Sequence, residues 1–225
     1  MKFVKQLALA AALAGASASA LADKTVTYAV DPGHTMVSFT WSHFGFSTPV
    51  AVFKDITGTI VGNHDNPEQS TVAVSFPLQS LDTFVPALND HLLKSGDWFK
   101  AKQYPTVTFK STGMSDVSRE AGTFKLQGDL TLNGVTRAVV LDAKVNKVGE
   151  HPFLGNAPAA GFNATTTIKR SDFGVGNYAP AVSDELDVRV TVEAVEADAF
   201  KAAQEKHKQA AEKAKAKAPK GKKAK

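Results

Sequence analysis

The side chains that could do chemistry are few and scattered. His34 follows Asp31 across Pro32-Gly33, His43 precedes Phe44-Gly45-Phe46, and His91 lies in Asn89-Asp90-His91. An imidazole beside a carboxylate can serve as a general base or a metal ligand. Asp31 and His34, however, are placed to cap the turn between them. The spacing of His34, His43 and His91 is too irregular for a metal site. The chain has no G-x-S-x-G elbow, H-E-x-x-H or P-loop, and Gly174-Val175-Gly176 stops short of a dinucleotide fingerprint. It also has no cysteine, so thiolate catalysis and thiolate metal sites are excluded. These residues predict no catalytic group, no metal and no resident cofactor. Two arginines could meet a polar head group: Arg137, and Arg170, whose neighbour Asp172 would pin the Phe173-Gly174 turn by an ion pair.

The elements that must position these groups are strands. Phe124 to Val145 reads as two alternating runs around Asn133-Gly134, a pair that accepts the positive φ of a two-residue hairpin turn. That turn sets Leu132 opposite Val135 and Leu126 opposite Leu141, giving one apolar face and one polar face. Similar runs occur at 26–30, 37–43, 52–61, 71–78, 106–111, 161–170 and 185–195. Only Gln79 to Tyr104 breaks the pattern, where Pro86 opens one or two short helices with Leu88, Leu92 and Leu93 on one side. About eight or nine antiparallel strands must close or split into a sandwich, and a closed barrel of about eight holds either packed side chains or one ligand. The fold class expected is an all-β closed antiparallel barrel with the short helices inserted.

Fourteen phenylalanines, two tryptophans and three tyrosines furnish its interior. The alternation directs Val37, Phe39, Trp41 and His43 inward from one strand, and Phe76, Phe109, Phe124, Leu126 and Phe162 from others. Trp98 and Phe99 follow the helix as a plug or gate. Arg137 has inward parity near the hairpin turn, and Phe173 and Tyr178 are candidate lids on a Gly-rich loop.

The two ends differ from the body. Lys2 and Lys5, the apolar run Leu7 to Ala14 and Ala20-Leu21-Ala22 form a secretory signal over 1–22, cleaved before Asp23. The expected compartment is the periplasm. Residues 23–197 then make one domain of about 175 residues, enough for a core without disulfides. Residues 198–225 carry ten lysines against three acidic residues, a net of +7, whereas the body has 14 basic and 19 acidic, a net of −5. The basic balance belongs to this Ala/Lys-rich tail, helical or disordered. An acidic body argues against nucleic acid as a partner. The tail is either a solvated appendage or an attachment to anionic lipid head groups.

Five segments in order and register resemble the YceI family of periplasmic polyisoprenoid-binding proteins with a lipocalin-like barrel. They are DPGHTMVSFTWSHFGFS (31–47), FKDITGTI (53–60), DHLLKSGDWFKAKQYPTVTFKST (90–112), GDLTLNGVTRAVVL (128–141) and IKRSDFGVG (168–176). The resemblance spans 24–196. It implies a tunnel-like cavity holding a long-chain polyisoprenoid lipid, of the quinone or polyprenyl phosphate type, with a polar head near the mouth. Many members of that family read Arg-Asp-x-His-Leu where this chain has Asn89-Asp90-His91-Leu92-Leu93. The imidazole therefore sits one place earlier, about 100° around a helix.

The reading that follows is a carrier without chemistry of its own, with the oligomeric state left open. Two other classes compete: an enzyme on an amphiphile with His43 or His34 as base, and a stress-related interaction module whose barrel is filled.

Overall fold

In a computed structural model that describes residues 25–217, strands dominate and close on themselves. The leader expected over 1–22 lies outside the described residues, as do 218–225. The strands are β1 (Thr25–Val30), β2 (Met36–Thr40), β3 (Val50–Phe53), β4 (Thr57–Asn63), β5 (Thr71–Pro77), β6 (Thr106–Ser118), β7 (Thr123–Leu132), β8 (Val135–His151), β9 (Ala157–Lys169) and β10 (Glu185–Glu196). Eight of them form an antiparallel ring in the order β1-β4-β5-β6-β7-β8-β9-β10, which β10 closes by pairing with β1. The β2–β3 pair extends the wall from the rest of β10. Helix α1 (Pro86–Lys94) lies between β5 and β6, with Pro86 at its first turn where a missing N–H costs nothing. Helix α2 (Ala197–Lys217) follows β10.

The central hairpin has the predicted register, Leu132↔Val135 and Leu126↔Leu141. Asn133 and Gly134 take φ of 57° and 79°. Asn133 does more than turn the chain. Its buried side chain donates to the carbonyls of Trp98 (3.2 Å) and Phe173 (3.3 Å) and accepts from the Lys100 N–H (2.6 Å). The hairpin tip thereby clamps two loops over one end of the barrel, here called the upper end.

The strand expected at 52–61 is two. Asp55, at φ 58°, breaks it, so β3 leaves β4's neighbours and pairs with β2 instead. The first strand pair is interrupted likewise at Asp31–Thr35. There the ladder to β10 is kept by substitution: Asp31 N–H donates to the Glu193 carbonyl at 2.9 Å, and Thr35 Oγ1 exchanges bonds with the Glu193 carbonyl and N–H at 3.3 and 3.2 Å. Buried backbone groups must be paired, and Thr35 supplies the partner the missing strand would have given. Trp41 and His43 thus lie beyond β2, while keeping its inward parity.

The inward faces meet tight packing at Gly128, which abuts the Phe109 ring. A Cβ built there would stand 2.3 Å from the Phe109 ring and 2.8 Å from the Lys110 carbonyl. Gly128→Val should therefore lower stability by about 1–3 kcal/mol or more through overpacking, read as a fall in urea midpoint at unchanged m-value.

Candidate functional site

The ring encloses an almost wholly apolar cavity of about 940 Å³. Its lining runs from His43, Phe44, His91 and Tyr178 at the upper end to His64 and Arg119 at the lower, so it is a tunnel along the barrel axis. Such a volume lies at the top of the range for small-molecule sites, about 300–1,000 Å³.

The interior stays open because its large rings satisfy one another along the wall. Phe39 packs on Trp41 (5.8 Å between centroids) and Phe53 (5.6 Å), and Phe53 on Phe76 (5.0 Å) and Phe99 (6.2 Å). β8 and β9 line the lumen with Ala143, Ala164 and Thr166 interleaved among Leu141, Val145 and Phe162. Small side chains set among large ones leave room in front of them.

Of the residues expected to line the site, Val37, Phe39, Trp41, His43, Phe76, Trp98, Phe99, Phe109, Phe124, Leu126 and Phe162 all do. Two do not. Arg137 is exposed beyond Val139, its guanidinium donating only to the Thr136 carbonyl at 3.0 Å. Moving that charge into hydrocarbon without a partner would be costly, and its length carries it to water. Phe173 is 1% exposed and packed in the core, so the lid position falls to Tyr178, which is 68% exposed and lies 6.1 Å from Trp98.

Trp98 and Phe99 are both buried and cap the upper end. The indole N–H donates to His91 Nε2 at 2.9 Å, and the Arg170 guanidinium stands 5.3 Å above the ring. His91 thus reaches the tunnel despite its shift in sequence, alongside Leu92. Asn89 fixes the approach to α1, accepting from Thr83 N–H (2.8 Å) and Oγ1 (2.6 Å).

Arg170 differs from expectation in its partners. It is buried and donates to the carbonyls of Ser183 (2.8 Å), Val182 (2.7 Å) and Val175. The nearby carboxylate is Asp184, not Asp172. Desolvation lowers the Arg170 pKa from its usual value while Asp184 pulls it up; the group remains a cation. Asp184 is held below the ordinary carboxylate range, first by the Ser171 hydroxyl (2.6 Å), then by the Ser171 N–H and the charges of Arg170 and Lys169. Nothing in the sequence marks this carbonyl cage, because its acceptors are backbone atoms of a loop.

At the lower end Tyr28 Oη and His64 Nε2 share a hydrogen bond of 3.0 Å, and Arg119 donates to the carbonyls of His64 (3.3 Å) and Asp65 (2.6 Å). The sequence reading missed both His64 and Arg119, since they sit in loops with no periodic pattern. Among the described residues, no buried side-chain polar atom lacks a partner.

A family model for the YceI-like domain matches residues 28–194. The chain is 35% identical over 196 residues to a UPF0312 protein of Azotobacter vinelandii, covering 86% of this chain and 97% of that one. The Campylobacter jejuni YCEI crystal structure aligns with a TM-score of 0.59 at 30% identity, over 65% of this chain and 84% of that one. A polyisoprenoid binding domain from Saccharophagus degradans, implicated in plant cell wall breakdown, shares the fold at 14% identity. Its TM-score is 0.56, over 76% of this chain and 99% of that one.

Two predictions follow from the Arg170 cage. Arg170→Lys should cost about 2–3 kcal/mol, because one ammonium cannot serve three carbonyls and stack on Trp98; urea unfolding measures it. Asp184, with its folded pKa depressed, stabilises the fold above its unfolded pKa, and that contribution is lost as pH falls through the folded value. Asp184→Asn should therefore flatten the pH dependence of stability below about pH 4, measured as urea midpoint against pH.

Proposed function

The chain belongs to the YceI-like family, and on that premise we propose that its tunnel binds the tail of a long-chain isoprenoid lipid and carries it between periplasmic membrane surfaces. The observation that carries this reading is the continuous apolar tunnel of about 940 Å³ reaching both ends of the barrel. A flexible hydrocarbon chain fits such a lumen, and with no unsatisfied buried polar atom among the described residues its head group stays at a mouth. The polyisoprenoid binding domain of Saccharophagus degradans, which shares the fold, supports the same ligand class. A quinone or polyprenyl phosphate is the finer assignment, with the leader over 1–22 delivering the protein to the periplasm.

Exchange, not storage, is what the energetics favour. Burial of a forty-carbon tail, at about 0.8 kcal/mol per CH₂, would formally exceed any observed affinity. The competing solvent is a bilayer, equally apolar, so the net transfer energy is close to zero. Loading therefore depends on being held at a membrane. Helix α2 begins at the lower end: Glu196 pairs with Tyr28 and its carboxylate caps the helix, accepting from Asp198 N–H (3.2 Å) and Ala199 N–H (2.8 Å). Lys201, Lys206, Lys208, Lys213 and Lys215 are all exposed along it. Each would contribute about 1 kcal/mol near an anionic surface.

Organic extraction of the purified protein followed by mass spectrometry should yield a stoichiometric prenyl lipid. Ala164→Trp, which places an indole in the tunnel lining, should retain the fold by circular dichroism and yield only a trace. A clean extract from the unaltered protein would contradict the proposal, and turnover of a prenyl phosphate abolished by His43→Ala would replace it with an enzyme. Deletion of 198–225 should slow lipid exchange with anionic vesicles and spare it with neutral ones; equal slowing on both would remove the electrostatic role of the tail.

A further inference from the structure

We propose that Asp31, His34 and Glu193 form a surface site for a first-row divalent transition-metal ion of the zinc type, apart from the tunnel. A His34 ring nitrogen, an Asp31 oxygen and a Glu193 oxygen all lie within 4.8 Å of one another. The His34 Nδ1–Asp31 Oδ2 distance is 2.7 Å. An ion bound at about 2.0–2.2 Å from each ligand sets neighbouring ligand atoms about 3–3.5 Å apart. The Asp31–His34 edge thus needs to open by only a few tenths of an ångström. The Glu193 side chain, 35% exposed, has room to swing in.

The backbone that carries these groups is already fixed. Asp31 Oδ1 accepts the Gly33 N–H at 2.8 Å, which turns Oδ2 toward His34. Glu193 is tied through its backbone to Asp31 at 2.9 Å and to the Thr35 hydroxyl at 3.3 and 3.2 Å, and Thr35 is 3% exposed. The site therefore spans the break between β1 and β2 and the strand both of them pair with. His151 adds a positioning contact. Its Nδ1 accepts the Phe153 N–H at 3.3 Å, and its Nε2 stands 3.2 Å from Glu193 Oε1. That contact would hold one carboxylate oxygen while the other turns to the ion, as outer partners do at metal sites.

Charge and ligand type select the cation. Two carboxylates converge on one imidazole. Their two negative charges favour a dication over a monovalent ion. Imidazole is a poor ligand for calcium or magnesium, and the absence of thiolate disfavours Cu(I), so an N/O set of this kind suits Zn²⁺ and its divalent neighbours. Water would complete the coordination. Bound there, the ion would staple the Asp31–Thr35 turn to β10 where the barrel wall changes strand.

The test is calorimetric titration of the full chain, stripped with chelator, with Zn²⁺ and with Ca²⁺ as control. One equivalent of Zn²⁺ should bind saturably, Ca²⁺ should not, and Tm should rise by about 5–10 °C at a hundredfold excess over Kd. His34→Ala and Glu193→Gln should each lose stoichiometric binding with unchanged circular dichroism. His151→Ala should weaken it about 10–100-fold, and His207→Ala, on α2, should leave it intact. No saturable Zn²⁺ binding, or one-equivalent binding that survives both His34→Ala and Glu193→Gln, would overturn the proposal.

Discussion

Stacking of aromatic rings along one wall of the barrel, and not across it, is the constraint on which the rest depends. Phe53 sits at the centre, touching Phe39, Phe76 and Phe99. Each ring gains its contacts from a neighbour on its own side, so none has to cross the lumen to be packed. On β8 and β9, Ala143, Ala164 and Thr166 alternate with Leu141, Val145 and Phe162 and leave space in front of them. A barrel of eight strands is narrow enough to be filled by its own side chains. This one keeps an apolar cavity of about 940 Å³ along its axis.

A hollow barrel has to be held in shape by its rim. At the upper end the work is divided between Asn133, which clamps the loops bearing Trp98 and Phe173, and Arg170, which gathers three carbonyls under its guanidinium. At the lower end the Tyr28–His64 bond and Arg119 do the corresponding work. Among the described residues the imidazole–carboxylate pairs are His34 with Asp31 and His151 with Glu193, and both lie outside the tunnel lining. The polar chemistry of the molecule is thus spent on its ends and its outer surface, and its interior on hydrocarbon.

How much of this could be read from the chain follows from where each signal lives. Period-two alternation is local, so the central hairpin, its register and the inward face of most strands are legible in the chain itself. The same parity placed Phe109, Phe124, Leu126 and Phe162 in the lumen. It failed where a strand bends without losing its composition, as at Asp55, because a positive φ at a non-glycine residue leaves no mark in the hydrophobic pattern. It also failed for Arg137 and Phe173, whose position depends on how the barrel end closes over them. His64, Arg119 and the carbonyl cage of Arg170 were invisible for a related reason: their partners are main-chain atoms far away in sequence.

Whether the lumen stays open in the absence of a guest decides the account. A crystal structure of the delipidated protein under xenon pressure measures this most directly. A row of xenon sites along the axis, from Trp41 to Phe124, is the result expected of an apolar tunnel bounded by self-stacked rings. An interior taken up by the chain's own side chains, with no xenon admitted, would contradict it.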